Sequence, residues 1–498
     1  MLNLEGRLMA VMEKGTTQKV LSGLMTASFR NKLTRKAFLR ALEKAMWRLS
    51  FKGPQRPERV HYERALMARA LLNSIERTLN SGTLSERCMN ALWEIFLGKV
   101  FIAGIPKRKS FAETHGFRPP CFVTISPTNV CNLKCKGCYA GDVYTRHTLT
   151  FDVFDRVIRE IKEYFAAHFL VISGGEPFMY RQNGHTLMDI LQRHQDVYFM
   201  AYTNGTMINR EVARRLGELG NFTPSISVEG FARETDERRG HGVHRKILEA
   251  MEYLREAGVP FGISVTPTRY NADLLLSDEF VDYYFLQQGA FYGWYFQYMP
   301  IGRKPSVELM VTPQQRLKML KRIWSLVEEK RLFIADFWNS GTASDGCMAA
   351  ARGGGYFYIM WDGTITPCVF IPFKDRQGGN IYHLYQEEKT ILDAIQTPLF
   401  QEIRKWQDNY WLQQPKEKCG NLLVPCIIRD NSLSFREIVA RTGAEPVDEG
   451  AYALLSFIEQ DSLPRYNREY RQLVDPLWEK EYAGGNGQGR SPVEKKPN

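Results

Sequence analysis

Three observations predict an α/β protein whose core is a parallel sheet. From Cys121 onwards, short β-branched apolar runs alternate with longer helical stretches. The starts of these runs are about 25–50 residues apart, which leaves room for one helix between neighbouring strands. Polar residues stand at the strand ends, at Ser173, Thr203, Ser227 and Thr266. These are the positions where α/β folds bind ligands, so the sheet is expected to be doubly wound or curved into part of a barrel.

The elements follow one another in a simple order along the chain. The six predicted strands are 122–126, 169–173, 198–203, 223–228, 261–266 and 293–299. Helical spacing of apolar residues dominates elsewhere. The predicted units are a helical region (1–115), the βα core (116–310), a helical linker (311–344), an irregular cysteine-containing region (345–433), a helical segment (434–483) and a Gly- and Lys-rich tail expected to be disordered (484–498).

The composition is that of a folded protein. Of 498 residues, 44% are hydrophobic and 24% are charged, which excludes a disordered or collagen-like chain as a whole. The sequence has no uninterrupted run of 18 apolar residues, and its start lacks the features of an export signal. We therefore expect no membrane-spanning helix and a cytoplasmic location. In that reducing environment the nine cysteines are expected to be metal ligands or buried thiols.

The positive charge is concentrated at the N-terminus. Residues 1–60 contain thirteen basic and four acidic residues, a net charge of +9 out of +11 for the chain. The stretch 33–49 places apolar residues at helical spacing, with Arg and Lys between them and Trp47 beside the apolar face. Such a helix can lie on an anionic membrane surface, so a peripheral location on the inner face of the cell membrane is one hypothesis. The alternative is a solvated basic face packed on the core.

The most specific motif is a set of three cysteines. Cys131, Cys135 and Cys138 follow the first predicted strand, with three and then two residues between them. Three thiolates at this spacing can hold three irons of a [4Fe–4S] cluster and leave the fourth iron open. The alternatives are a three-cysteine zinc site or structural thiols.

A second motif, Ser173-Gly-Gly-Glu-Pro177, ends the second predicted strand. Gly174 and Gly175 allow the backbone to approach a ligand closely, and the Glu176 carboxylate can accept a hydrogen bond from an ammonium group. An ordinary turn after a buried strand has the same composition. The motif gains weight because the three cysteines precede it.

Together these residues resemble the radical SAM superfamily over roughly 121–303. The matching features are the cluster loop with Tyr139, the GGEP turn, Tyr202-Thr-Asn-Gly205, Ser225–Gly230, an Arg-Arg-Gly that contains Arg239, Ser264 and Thr266 at a strand end, and Met299–Gly302.

The resemblance implies a partial (β/α)6 TIM barrel and reductive cleavage of S-adenosylmethionine (SAM) to a 5′-deoxyadenosyl radical. Cys131, Cys135 and Cys138 correspond to the cluster ligands. The residues assigned to SAM are Gly174, Gly175, Glu176, Asn204, Ser227 and Arg239. A ferredoxin- or flavodoxin-type reductant is implied as partner. Glu229, Tyr298 and Asp345 were considered as catalytic groups, but none is assigned.

Four further cysteines lie in the irregular region. Cys347, Cys368, Cys419 and Cys426 stand around a Tyr358…Pro367 stretch that contains Asp-Gly. This resembles a SPASM/Twitch-type extension, in which a hairpin carries one ligand, and it implies a second [4Fe–4S] cluster. A single metal ion held by four cysteines is the alternative. Cys88 and Cys121 are expected to be thiols outside both sets.

The sequence leaves several substrates open. Alternation places Tyr292, Trp294, Phe296 and Tyr298 on one face of the sixth strand, toward either the lumen or the surrounding helices. With the basic N-terminus, this favours hydrogen abstraction from a lipid acyl chain. The alternative is a maturase that acts on a peptide or protein side chain. Nucleic acid is a less favoured substrate because no RNA-binding module is recognised. A metal-binding protein without enzymatic activity would not explain GGEP and Arg239.

Overall fold

The computed structural model describes residues 32–52, 56–140 and 146–484. Residues 1–31 and nearly all of the predicted disordered tail therefore lie outside the described residues. In the described part, one nine-stranded sheet forms the centre of the protein, with the order β11-β10-β1-β2-β5-β6-β7-β8-β9. Its strands are β1 (Val123–Ile125), β2 (Phe169–Ile172), β5 (Tyr198–Thr203), β6 (Phe222–Val228), β7 (Gly262–Val265), β8 (Gly293–Tyr295), β9 (Ile334–Asp336), β10 (Tyr358–Ile359) and β11 (Ile365–Thr366).

All six predicted strands are present, and each pairs in parallel with its neighbour from β1 to β8. The α/β fold with a parallel sheet is thus confirmed. Helices alternate with these strands. They are α5 (Phe151–Phe165), α6 (Leu187–Arg193), α7 (Arg210–Leu219), α8 (Ala232–Arg239), α9 (Val243–Glu256), α10 (Ala272–Leu275), α11 (Asp278–Val281) and α12 (Pro313–Glu328), with a small hairpin, β3 (Arg181–Gln182) and β4 (His185–Thr186), before α6.

Helix α5 shows why these segments are helical. The Thr150 side chain caps its first turn by accepting a hydrogen bond from the amide of Val153 at 3.4 Å. Phe154, Val157 and Ile161 then recur at helical spacing and are fully buried against the sheet. Local sequence and burial on the sheet therefore specify the same element.

The predicted helical linker, 311–344, is only partly helical. After α12 the chain forms β9, which pairs in parallel with β8 and adds a seventh parallel strand to the barrel wall. This strand is three residues long and its apolar alternation is weak, so periodicity did not reveal it. Its formation depends on the free edge of β8, which is a tertiary feature.

The opposite edge of the barrel is covered by the C-terminal region. Strand β10 pairs in parallel with β1, and the antiparallel hairpin β10–β11 is the one expected from Tyr358 to Pro367. The remaining elements are α13 (Gly341–Ser344), β12 (Phe373–Lys374), α14 (Ile381–Gln386), α15 (Ile391–Ala394), α16 (Pro398–Gln407), α17 (Ser432–Thr442), β13 (Glu445–Pro446), α18 (Glu449–Glu459) and α19 (Ser462–Trp478). The hairpin is thus continuous with the barrel sheet.

The N-terminal helices cover the end of the barrel where the strands begin. They are α1 (Lys32–Ser50), α2 (Glu58–Ser81), α3 (Glu86–Ala91), a π-helical segment (Leu92–Ala103) that continues α3, and α4 (Ile105–His115). Their apolar side chains share one core cluster with Tyr198, Phe291 and Tyr292 at the strand starts. The described residues of the segment 1–115 are mainly helical.

The apolar face of α1 is packed inside the protein. Phe38, Leu39, Leu42 and Ala45 are buried against α2 and α3, while the basic side chains between them include exposed ones. The apolar face of the described part of α1 is therefore not available to a membrane, because the neighbouring helices already remove these side chains from water. The hypothesis of a peripheral membrane contact stays a prediction that rests on the exposed basic residues.

One helical run in the described residues, Glu86–His115, is long and apolar enough to cross a membrane by length and composition. The sequence predicted no membrane-spanning helix because only uninterrupted runs of apolar residues were considered. This finding revises that expectation. Leu92, Trp93, Ile95 and Leu97 of this run belong to the core cluster under the barrel.

Candidate functional site

A central cavity of about 450 Å³ occupies the barrel. It reaches from the cysteine loop at the carboxyl ends of the strands to Met67 of α2 at the opposite end. Cys131, Cys135 and Cys138 all line it. The three thiols and the strand ends therefore face one space, as the α/β pattern predicted.

The cysteine loop is held by backbone contacts on two sides. The amide of Lys136 donates to the carbonyl of Arg238 at 3.1 Å, and Arg238 Nε donates back to the carbonyl of Lys136 at 3.2 Å. On the other side, the amide of Arg303 donates to the carbonyl of Cys138 at 3.0 Å. The loop is thus positioned by α8 and by the segment after β8.

The two glycines of the GGEP turn pack against the backbone that leads to the cysteines. Gly174 has φ +112°, and a Cβ there would lie 2.5 Å from the carbonyl oxygen of Thr128. A Cβ on Gly175 would lie 2.3 Å from the carbonyl oxygen of Val130. Both glycines also line the cavity. Because neither glycine has a side chain, the GGEP turn can pack directly against the backbone that leads to the cysteines. It also leaves the backbone of both glycines exposed to a ligand.

Tyr139 adds a second connection between the motifs. Its hydroxyl contacts the Ser173 hydroxyl and accepts a hydrogen bond from the amide of Gly174 at 3.2 Å. The residue after the third cysteine thus fixes the start of the GGEP turn.

The Glu176 side chain does not face the cavity, in contrast to the position expected from the sequence. Its side chain is fully buried and does not line the cavity, because both carboxylate oxygens accept hydrogen bonds inside the protein. Oε1 accepts from the Thr203 hydroxyl at 2.6 Å and Oε2 from the amide of Asn204 at 2.9 Å. Burial raises the pKa of this carboxyl to about 7. The Glu176 carboxylate therefore binds the protein rather than facing the cavity, and the assignment of this residue to SAM stays a prediction.

Asn204 lines the cavity and contacts the cysteine loop. Its Nδ2 donates to Oδ1 of Asn132 at 2.9 Å and lies 3.9 Å from Sγ of Cys131. Ser227 also lines the cavity, where its hydroxyl is 3.1 Å from that of Ser264. These two assigned residues are brought to the same site.

Arg239 lines the cavity but already has an anionic partner. Its Nε donates to Oε1 of Glu229 at 3.0 Å, and Nη2 contacts the same oxygen. Arg238 forms a further ion pair with Glu229, which is 1% exposed. Sequence reasoning missed this pairing. Glu229 therefore orients Arg239 rather than lying free as a catalytic group.

The aromatic face of the sixth predicted strand points into the lumen. Trp294, Phe296 and Tyr298 line the central cavity, whereas Tyr292 lies in the N-terminal core below it. The alternation was thus predicted correctly, and the structure selects the lumen over the surrounding helices for three of the four rings. Asp345, also considered from sequence, is outside the cavity and pairs with Arg56 at 3.0 Å.

The four C-terminal cysteines do not all line one cavity. Cys347, Cys368 and Cys426 line a second, smaller cavity, but Cys419 does not, and its thiol donates to the carbonyl of Gly420 at 3.5 Å. The assignment of all four as ligands of one metal group stays a prediction. A hydrogen bond with Cys426 lowers the pKa of Cys347 to about 6.

The two cavities are neighbours. Phe337, Ser344, Met348 and Phe370 line both of them. Tyr356 connects them further, since it lines the central cavity and its hydroxyl is 2.9 Å from Sγ of Cys368. A group bound at the C-terminal cysteines would thus lie next to the lumen.

Residues 125–276 match the radical SAM superfamily. These residues contain the cysteine loop, the GGEP turn and Arg239. They form a radical SAM domain.

Several curated proteins are similar to this chain. Fe-coproporphyrin III synthase of Methanosarcina barkeri is 29% identical over 147 residues, 29% of this chain and 36% of that protein. Mycofactocin maturase MftC of Mycobacterium ulcerans is 29% identical over 313 residues, 59% of this chain and 79% of that protein. The sporulation killing factor maturation protein SkfB of Bacillus subtilis is 26% identical over 262 residues, 50% of this chain and 60% of that protein.

Two solved structures share the fold. Streptococcus suis SuiB bound to its precursor peptide SuiA superposes with a TM-score of 0.50 at 19% identity, over 66% of this chain and 75% of SuiB. Native anSMEcpe with bound AdoMet gives 0.51 at 18% identity, over 73% and 99%. These structures share the fold of this chain, and the α/β fold with a partial barrel expected from the sequence is confirmed.

The cofactors of the radical SAM enzyme are a [4Fe–4S] cluster and SAM, and the described residues fit them. Burial raises the pKa of Cys131 to about 11, so its thiolate needs a nearby positive charge, which iron supplies. Among the described residues, no three His, Cys, Asp or Glu side chains could hold one metal ion.

Proposed function

We propose that this radical SAM enzyme modifies a peptide or protein side chain. The observation that carries the proposal is the extent of similarity. The radical SAM domain spans 152 residues (125–276), and the match to Fe-coproporphyrin III synthase is no longer than that domain. The matches to the maturases MftC and SkfB cover 313 and 262 residues and so extend well beyond it. Substrate specificity in such enzymes depends on the parts outside the shared core.

Different residues of the chain would bind the cluster, bind SAM and hold the substrate. Cys131, Cys135 and Cys138 would hold the SAM-binding cluster, which together with SAM supplies the 5′-deoxyadenosyl radical that removes a hydrogen atom and leaves as 5′-deoxyadenosine. Arg239, which Glu229 orients, would pair with the SAM carboxylate. The aromatic lumen wall excludes water and holds the substrate carbon in position.

Cys347, Cys368 and Cys426 are the residues that would hold the second cluster. Their cavity adjoins the lumen, so the proposed substrate lies between the SAM side and these cysteines. A ferredoxin- or flavodoxin-type protein is the proposed electron donor. We also propose a cytoplasmic location, since the described cysteines are all free thiols.

A lipid acyl chain is the second candidate substrate. It is favoured by one observation, the predominantly apolar lining of the lumen down to Met67. The buried apolar face of α1 removes the other argument made for it. The apolar lining of the lumen is therefore the single observation that supports a lipid substrate.

Deuterium transfer distinguishes these substrates. Cells that produce the protein would be grown in fully deuterated medium, and their extracts would be separated into peptide, lipid and pigment fractions in ordinary water. Reconstituted enzyme, SAM and dithionite would then be added to each fraction. We expect deuterium in 5′-deoxyadenosine with the peptide fraction, measured by mass spectrometry. The control is the triple variant Cys131→Ala, Cys135→Ala, Cys138→Ala. Deuterium transfer from the lipid or pigment fraction alone would refute the proposal.

A further inference from the structure

Tyr356 connects the lumen to one of the C-terminal cysteines. The residue lines the central cavity, where its ring stacks on Phe122 with the ring centroids 5.0 Å apart and the planes 5° from parallel. Its hydroxyl lies 2.9 Å from Sγ of Cys368, and that cysteine lines the C-terminal cavity. One side chain therefore reaches from the wall of the lumen to a proposed cluster ligand.

Backbone hydrogen bonds hold Tyr356 in this position. Its amide donates to the carbonyl of Met348 at 2.9 Å, and its carbonyl accepts from the amide of Ala351 at 3.0 Å. Both partners belong to the loop that follows Cys347. Tyr356 itself is 3% exposed and lies just before β10, whose hairpin leads to Cys368. The residue is therefore fixed between two segments that carry proposed ligands.

The tyrosine hydroxyl must be the donor in this contact when Cys368 binds iron. A metal-bound cysteine is a thiolate without a proton, so its sulfur can only accept a hydrogen bond. The hydroxyl of Tyr356 has a proton to donate. The amide of Phe370 also donates to Sγ of Cys368, at 3.4 Å. This sulfur would thus accept one hydrogen bond from the backbone and one from Tyr356.

Hydrogen bonds to the sulfurs of an iron–sulfur cluster change its reduction potential. Reduction adds negative charge to the cluster and its thiolates, and a donor stabilises the more negative state more strongly. The contact between Tyr356 and Cys368 is buried, where the low dielectric constant strengthens a hydrogen bond. A hydroxyl at this sulfur therefore makes the cluster easier to reduce.

We propose that Tyr356 raises the reduction potential of the second cluster through its hydrogen bond to Cys368. It is a positioning residue, since it acts on the cluster through the cysteine. This inference rests on the second cluster of the proposed function and is independent of whether the substrate is a peptide or a lipid. The group that lies beside the substrate would thus be tuned from the wall of the lumen.

Redox titration of the second cluster alone tests the inference. The full-length triple variant Cys131→Ala, Cys135→Ala, Cys138→Ala, reconstituted anaerobically, should carry only the C-terminal cluster, with about four irons. Its EPR signal would be followed while dithionite is added in the presence of redox mediators. We expect Tyr356→Phe in this background to lower the ratio of reduced to oxidised cluster at a fixed potential by about 3–10-fold, the value of one hydrogen bond. For a one-electron couple this is a shift of about 30–60 mV to more negative potential.

Tyr358→Phe is the matched control. Tyr358 is also 3% exposed and loses the same hydroxyl, but its O–H donates to Oγ of Ser126 at 2.6 Å and not to a cysteine. The potential should therefore stay unchanged in this variant. Tyr356→3-fluorotyrosine is the second variant. It keeps the size of the ring, makes the O–H a stronger donor and should shift the potential in the opposite direction to Tyr356→Phe.

The outcomes separate this inference from the proposed function. An unchanged potential in Tyr356→Phe with about four irons bound would overturn only the inference, and equal shifts in Tyr356→Phe and Tyr358→Phe would do the same. If Tyr356→Phe loses its iron, the fluorinated variant decides, because an unchanged or lowered potential there overturns the inference. Absence of iron from the triple variant itself would refute the second cluster of the proposed function as well.

Discussion

Glu176 Oε1 accepts a hydrogen bond of 2.6 Å from the Thr203 hydroxyl, and this bond joins the ends of β2 and β5 inside the protein. The Glu176 carboxylate, which could accept a hydrogen bond from the SAM ammonium group, thus accepts hydrogen bonds from other residues of the protein instead. It holds the turn that carries Asn204 against the cysteine loop. The radical SAM site therefore depends on contacts between motifs that are far apart in sequence.

The pH dependence of stability tests this placement in the metal-free protein. Burial raises the pKa of Glu176 to about 7, whereas an unfolded glutamate titrates near 4.5. Between these values the folded state binds more protons than the unfolded state, so this group lowers stability as pH rises, by up to about 3 kcal/mol. We expect Glu176→Gln to remove this slope in urea unfolding between pH 4.5 and 7. The same slope in both proteins would contradict the buried carboxyl.

Iron content tests the first cysteine set. Anaerobically reconstituted protein should hold about eight irons, four for each cubic cluster. The triple variant Cys131→Ala, Cys135→Ala, Cys138→Ala should retain about four and form no 5′-deoxyadenosine. Cys88→Ala is the matched control, since Cys88 is a buried thiol in the barrel core away from both cavities. Continued SAM cleavage in the triple variant would disprove the assignment.

The C-terminal site has a sharper test, because sequence and structure disagree about Cys419. Cys347→Ala, Cys368→Ala and Cys426→Ala should each reduce the second cluster, seen as loss of iron and of its Mössbauer signal. Cys419→Ala should keep about eight irons, since the thiol lies outside the cysteine cavity. Loss of about four irons in Cys419→Ala would restore the four-cysteine interpretation.

SAM affinity tests Arg239. Arg239→Ala removes the guanidinium proposed to pair with the SAM carboxylate, and a charge-assisted hydrogen bond contributes about 1.5–3 kcal/mol, or about 10–100-fold in affinity. The cluster absorption should stay unchanged. Glu229→Gln is the comparison, because it keeps the arginine and removes the anion that orients it. Unchanged SAM binding in Arg239→Ala would place the arginine in a structural role.

Substitutions on the two faces of helix α1 test whether its apolar face is buried and its basic face is exposed. Leu42 of α1 is buried against α2 and α3, so Leu42→Ala should reduce the free energy of unfolding by about 2–5 kcal/mol. Lys36, Arg40 and Lys44 are exposed on the same helix. Replacing these three by Glu should leave stability within about 0.5 kcal/mol each.

The same triple variant tests membrane binding. Any attraction of this helix to anionic vesicles rests on the exposed basic residues, and salt should weaken it. Sedimentation with neutral and anionic vesicles, at low and high salt, should show binding of the wild type only to anionic vesicles at low salt and none for the triple variant. Negligible wild-type binding in all four conditions would contradict the expected attraction between the exposed basic residues and an anionic membrane surface.

The positions of the six parallel strands, the cysteine loop and the GGEP turn could be predicted because each depends on a local pattern. Apolar β-branched runs, a fixed cysteine spacing and a glycine pair are all visible within a few residues. The lumen-facing alternation of Trp294 and Phe296 also follows from the two-residue period of a strand. For these features, the chain's local preferences and the final fold agree.

What the sequence could not determine is where side chains point and which distant segments meet. β9 exists because β8 offers an edge, and the apolar face of α1 is buried because α2 and α3 cover it. Glu176 faces inward because Thr203 and the Asn204 amide supply donors there. Cys419 stands apart from three cysteines that sequence alone grouped with it. Each of these depends on contacts between residues far apart in the chain, which local patterns do not encode.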